Sequence, residues 1–154
     1  TLRVAPVMAR YSQPGSGGST SNPAYINPFR GAFFTLAPGS SSSQQYYALP
    51  HRQFGTATTV PKGERNNQYS TDVYDMEDIP SGTVVYIFNT NHGRTAYIEG
   101  LSGRGDDNGW YGLPGGHCVQ LIFSRESLRN GNNSRDYDGG WILVGHDDGG
   151  TNSW

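Results

Sequence analysis

Residues 83–99 read TVVYIF (Thr83–Phe88), NTNHG (Asn89–Gly93) and RTAYIE (Arg94–Glu99). The outer blocks are β-branched and aromatic, the residue types that suit a pleated, half-buried surface. The middle block is Asn- and Gly-rich, and such residues accept turn conformations that others resist. Two strand-like runs joined by a short turn predict a β-hairpin.

The same grammar extends in both directions. Downstream, the turn Leu113-Pro114-Gly115-Gly116 leads into HCVQLIFS (His117–Ser124), a third strand, and Trp141–Val144 reads as the last. Between them, Arg125–Arg129 predicts one helical turn, capped by Ser124 and ended by Asn130-Gly131. Upstream, Gly31–Leu36 is a short apolar run, and strands are expected at Gln45–Leu49 and Phe54–Val60. Pro6 confines Leu2–Ala9 to a sheet edge. Residues 12–23 and 38–43, rich in Ser, Gly and Pro, read as flexible loops, and Pro61–Ser70 as a polar loop.

Composition agrees with this pattern. Length (154 residues) suits one domain over 1–154. Leu, Ile, Val and Phe make up less than a fifth of the chain, but 12% of residues are aromatic and only 16% are charged, which favours folding over disorder. The 22 Gly and 9 Pro exclude a helical protein. The expected fold is therefore all-β: a single-domain antiparallel sandwich or barrel with long Gly/Ser/Pro-rich loops and at most one or two short helical turns.

Composition also narrows the partners. The single cysteine, Cys118, forms no internal disulfide, and no C-x-x-C pair marks a zinc site. No apolar run is long enough for a transmembrane helix. Net charge is −2 and no basic cluster interleaves with aromatics, so nucleic acid is not an expected partner. The charge is lopsided: residues 1–70 hold six basic side chains and one acid, residues 71–154 five basic and twelve acidic. Such a split suits halves that pack together, or a cation site in the second half. Few charges, a start at Thr1 rather than Met and abundant Ser, Asn, Gly and Tyr point to a secreted, extracellular or particle-surface protein.

Three acidic turns each end in tryptophan: Asp106–Trp110, Asp136–Trp141 and Asp147–Trp154. Asp and Asn hydrogen-bond hydroxyls or hold Ca²⁺, glycine lets a ligand approach, and an indole face stacks on a sugar ring. The first functional expectation is thus a lectin-like module that binds glycans or glycoconjugates, with Ca²⁺ as candidate cofactor and a homo-oligomer as candidate state. In it Trp110 or Trp141 stacks on the ring, Asp107, Asn108 and Asp138 take hydroxyls, and Asp147 and Asp148 hold the cation. The competing reading is that Asp/Asn-Gly is plain turn chemistry and each Trp starts a strand and packs inward. The stretch Trp141–Asn152 resembles the acidic calcium loop of small soluble bacterial lectins, a likeness from which no residue role is taken.

A second expectation, from a different class, is a hydrolase or transferase. Cys118 would be nucleophile, His146 base and Asp147 or Asp148 its orienter, with amides near Gly115 and Gly116 facing an oxyanion. The alternative for Cys118 is a small buried hydrophobe. His51, His92, His117 and His146 show no spacing that marks a metal site. A third expectation is a structural or attachment protein of a viral or other assembly. Arg104-Gly105-Asp106 spells an integrin-recognised tripeptide, the basis for cell adhesion, and Asn132-Asn133-Ser134 an N-glycosylation triplet. No nucleotide-binding, zinc-protease or serine-hydrolase motif is present.

Overall fold

The computed structural model describes residues 11–50, 79–101, 110–128 and 139–147. They form β1 (Tyr11–Gly15), β2 (Ala24–Tyr25), β3 (Phe33–Leu36), β4 (Tyr46–Ala48), β5 (Val84–Asn89), β6 (Ala96–Glu99), β7 (Trp110–Leu113), β8 (Cys118–Leu128) and β9 (Gly139–Asp147). A 3-10 turn at Ser42–Gln44, capped by the Ser41 side chain, is the helical element among the described residues. No helix there is long and apolar enough to cross a membrane.

The expected all-β class holds, but the antiparallel arrangement does not. One sheet has the order β1-β3-β5-β8-β9 and the other β2-β4-β6-β7, and neither closes into a barrel. Pairings β1/β3, β3/β5, β2/β4 and β4/β6 are parallel. Among the described residues β5/β8, β8/β9 and β6/β7 are the antiparallel strand pairs. The chain gives one strand to each sheet in turn: β1–β2, β3–β4 and β5–β6 are three successive windings laid side by side. Then β7 and β8 run back along β6 and β5, and β9 closes the row.

The hairpin expected at 83–99 therefore does not form. The turn Asn89–Gly93 carries the chain from one sheet to the other, because its asparagines bond to neighbouring windings. Asn89, fully buried, donates from Nδ2 to Arg94 O (2.7 Å) and Leu113 O (2.9 Å), and its Oδ1 accepts from Asn91 N (2.9 Å). Asn91 donates from Nδ2 to Pro38 O (2.7 Å), and Thr90 N and Oγ1 both reach Leu36 O. One winding further, Ala37 N and the Tyr47 hydroxyl (2.6 Å) bond to Gly15 O. Burial pushes the Tyr47 phenol above its ordinary pKa, which keeps it a neutral donor. The corners thus stack as the strands do.

Alternation in the strands supplies the core. β3 and β5 bury every second residue, placing Phe34, Leu36, Val85 and Ile87 inside. Val119, Leu121, Phe123 and Trp141 continue that face, and Tyr47, Ala96, Ile98 and Leu113 from the other sheet join the same core. Trp141 is fully enclosed, donates from Nε1 to Pro50 O (2.9 Å) and packs on Phe123 at 5.1 Å.

Two further expectations change. Part of the loop expected at 12–23 is paired: β1 is an edge strand with Pro14 at an irregularity between Ser12 and Gly15, where a missing N–H is tolerated. Beyond it, Gly17 and Gly18 bond to Gln44 O and Tyr46 O; a side chain on Gly18 would stand 2.0 Å from Asn22 O. The helical turn expected from Arg125 is strand instead, since β8 runs to Leu128 opposite β9. β7 opens at Trp110, which packs inward as the plain turn reading of the acidic turns expects, whereas β2 has no counterpart among the expected strands. The strands expected at Leu2–Ala9 and Phe54–Val60 and the loop Pro61–Ser70 lie outside the described residues.

Replacing Asn89 by Ala leaves the buried Leu113 O and the part-buried Arg94 O and Asn91 N without their partner, and should lower unfolding stability by about 2 kcal/mol in urea titration. Asn89→Asp should cost at least as much, since a carboxylate has no proton for Arg94 O or Leu113 O. A loss below about 0.5 kcal/mol for both would show that the corner does not depend on this side chain.

Candidate functional site

Of the expected site residues, the structure describes Trp110, Cys118, Trp141, His146 and Asp147. Asp107, Asn108, Asp138 and Asp148, with the tripeptide at 104–106 and the triplet at 132–134, lie outside the described residues. Trp141 is a core residue, and Trp110, only 6% exposed, meets the ring of Tyr46 edge-on at 4.9 Å. Neither indole offers a free face, so the sugar-stacking role expected of them is not available in this structure. The reason is chemical: a Trp opening a strand beside Gly gains more by burying its large ring than by exposing it.

Cys118, His146 and Asp147 are close in the fold yet do not form the expected catalytic set. In the β8/β9 register Cys118 opposes Asp147 and Val119 opposes His146. Opposed residues project to one face and successive residues to opposite faces, so thiol and imidazole lie on opposite sides of the sheet. Burial, and then the Asp147 carboxylate, push the Cys118 thiol above its ordinary pKa, the reverse of an activated nucleophile. The Gly116 amide, expected near an oxyanion, donates to Asn89 O at 2.8 Å. Gly115 and Gly116 serve close approach instead: a Cβ on Gly115 would sit 2.2 Å from Asn91 O, and Gly116 has φ +80° beside the His92 ring. That corner sets His117, whose Nδ1 lies 2.7 Å from His146 Nε2, while His146 Nδ1 lies 2.6 Å from the Tyr111 hydroxyl. Spacing along the chain gave no sign of this meeting; cross-strand register makes it.

Among the described residues no group of three or more His, Cys, Asp and Glu side chains surrounds a metal position. Asp147 is exposed on β9.

The outer face of the five-stranded sheet carries an exposed row of side chains. Phe33, Tyr86, Gln120 and Gly145 stand in one cross-strand row. Tyr86 is 39% exposed, and Gln120 Nε2 donates to its hydroxyl at 3.2 Å. Gly145 has open space where a side chain would be. Beside the row stand Ile142, 40% exposed, and Val144, 52% exposed. Val144 is the extra residue of a bulge, because Gln120 and Leu121 oppose Gly145 and Leu143. The sequence signal for this face was the polar-apolar alternation in Val84–Phe88, which marks Tyr86 as outward. Its partners come from pairings the alternation does not specify.

No protein family, characterised protein or solved structure matches the chain.

At pH 7.5 Cys118 should react with a thiol reagent more slowly than a free cysteine and speed up as pH rises. Asp147→Asn removes the like charge, lowers the thiol pKa and should accelerate the reaction at fixed pH. An unchanged or slower rate in that variant would separate Asp147 from the thiol.

Proposed function

We propose that the chain is a non-catalytic module that recognises carbohydrate at a cell or particle surface. In this reading the two mixed sheets pack as a sandwich and the outer face of the five-stranded sheet makes the contact. The observation that supports it is the Tyr86 ring, half-exposed and braced by Gln120 in a row that ends on bare Gly145. A tyrosine ring supplies a flat apolar face for the C–H side of a pyranose, and its hydroxyl with the Gln120 amide supplies a donor and acceptor for ring hydroxyls. A flat row without side-chain bulk at one end suits an extended saccharide better than a small molecule that needs a deep pocket. Asp147 and Asp148 remain the candidate Ca²⁺ carboxylates, Asp147 standing on the same strand as Gly145.

A second reading, a subunit of a larger assembly, draws on Ile142 and Val144. Both side chains are exposed, and a contact between proteins at this face would cover them. The enzyme reading draws no support from the sides on which Cys118 and His146 stand.

A glycan array run with Ca²⁺ and with a chelator tests the first reading. Selective binding should occur, and Tyr86→Ala should weaken it by about 1 kcal/mol, roughly fivefold. Loss of binding on chelation would include the cation. No selective binding in either condition, with a stable oligomer by sedimentation, would replace this reading with the assembly subunit.

A further inference from the structure

Tyr111 on β7 of the four-stranded sheet, His146 near the end of β9 and His117 in the corner before β8 meet in series. Tyr111 Oη lies 2.6 Å from His146 Nδ1, and His146 Nε2 lies 2.7 Å from His117 Nδ1. The imidazole rings are 5.0 Å apart, centre to centre, at 72°. His146 opposes the core residue Val119 and Tyr111 opposes the core residue Ile98, so both side chains stand on the core side of their sheets. His117 is held by its backbone: its amide donates to Pro114 O at 3.1 Å and its carbonyl accepts from Asn89 N at 3.0 Å.

The contact between the rings tolerates a limited number of protons. Two neutral imidazoles carry two, and one of these must lie between the rings, bound to one nitrogen and facing the lone pair of the other. A third is accommodated on an outer nitrogen; on His146 Nδ1 it is donated to the Tyr111 oxygen. A fourth sets N–H against N–H and puts like charges on adjacent rings, and the contact is lost.

We propose that Tyr111, His146 and His117 form a pH-sensitive clasp, which when closed holds the end of β9 to the corner before β8 and to the four-stranded sheet, and when both imidazoles are charged releases His146 from that corner. Because the open form binds one proton more than the closed form, falling pH favours opening, by up to about tenfold per pH unit. Imidazole takes up protons between about pH 8 and 5, which sets the range of the switch. Among the described residues, the other titratable or charged groups on the surrounding elements are few. Cys118 and Asp147 follow the two histidines in sequence and project to the opposite side of their sheet, as Tyr97 and Glu99 do on β6. The turn into β6 carries His92, whose ring lies beside Gly116, and Arg94.

NMR of the full chain from pH 7.5 to 5, a range over which ordinary carboxylates largely keep their charge, tests the clasp. The ring signals of His117 and His146 should titrate together in two steps, and the contact between the rings should vanish with the second. Exchange protection of the β9 amides from Gly145 to Asp147 should fall by about tenfold between pH 6 and 5. His117→Gln supplies a carbonyl that accepts from His146 Nε2–H at either pH, and should remove that loss of protection. His146→Gln, whose amide can donate or accept, should do the same, whereas His92→Gln should leave the loss in place. A ring contact that persists to pH 5, or an equal loss of protection in the variants at 117 and 146, would overturn the clasp.

Discussion

The carboxamide of Asn89 holds three stretches of chain at one point: the approach to β6 through Arg94 O, the end of β7 through Leu113 O, and its own turn through Asn91 N. Its backbone adds the return corner, accepting from Gly116 N and donating to His117 O. A buried amide with each of these groups paired is stable only in one geometry, because any shift leaves polar groups without water or partner. That geometry sends the chain out of one sheet and into the other. It also places His117, and through the β8/β9 register it decides which residues share each face. The outer aromatic row and the histidine pair are both downstream of this one corner.

Strand positions were largely legible and their partners were not. β3, β5, β8 and the middle of β9 follow from β-branched and aromatic runs, and the alternation in Val84–Phe88 even marks which side of β5 is buried. But Asn89–Gly93 reads as a hairpin turn, since Asn and Gly suit a tight reversal. Whether such a turn reverses the chain or bridges two sheets depends on bonds to Leu113, Pro38 and Leu36, segments distant in sequence. Parallel pairing between successive windings likewise leaves no local mark. β7 was marked only by Trp110, through the reading in which each Trp starts a strand, because WYGL is short and contains Gly and takes its pairing from β6 beside it. The helical turn from Arg125 failed for the opposite reason: good local capping chemistry yields to pairing with β9.

The candidate site shows the same division between residue chemistry and placement. The sequence marked Cys118, His146 and Asp147 as chemically capable, and the fold does bring them to adjacent rungs of one ladder. The period-two alternation of strands then puts the thiol on one side and the imidazole on the other, which breaks the catalytic set and creates two different environments. On the outer side Cys118 sits beside a carboxylate near the Tyr86 row. On the other side His146 meets His117 and Tyr111. The tryptophans illustrate how burial redirects function: Trp141 was an attractive sugar platform by type, but the core takes the ring, and among the described residues Tyr86 and Phe29 are the exposed aromatics.

The winding itself is the claim on which all of this rests, and backbone nuclear Overhauser contacts test it most directly. Parallel contacts should link Phe33 with Tyr86 and Leu36 with Asn89, and antiparallel contacts should link Ile98 with Tyr111. Contacts of a hairpin ladder between Val84–Phe88 and Thr95–Glu99, in place of those from β3, would contradict it and with it the placement of both surfaces.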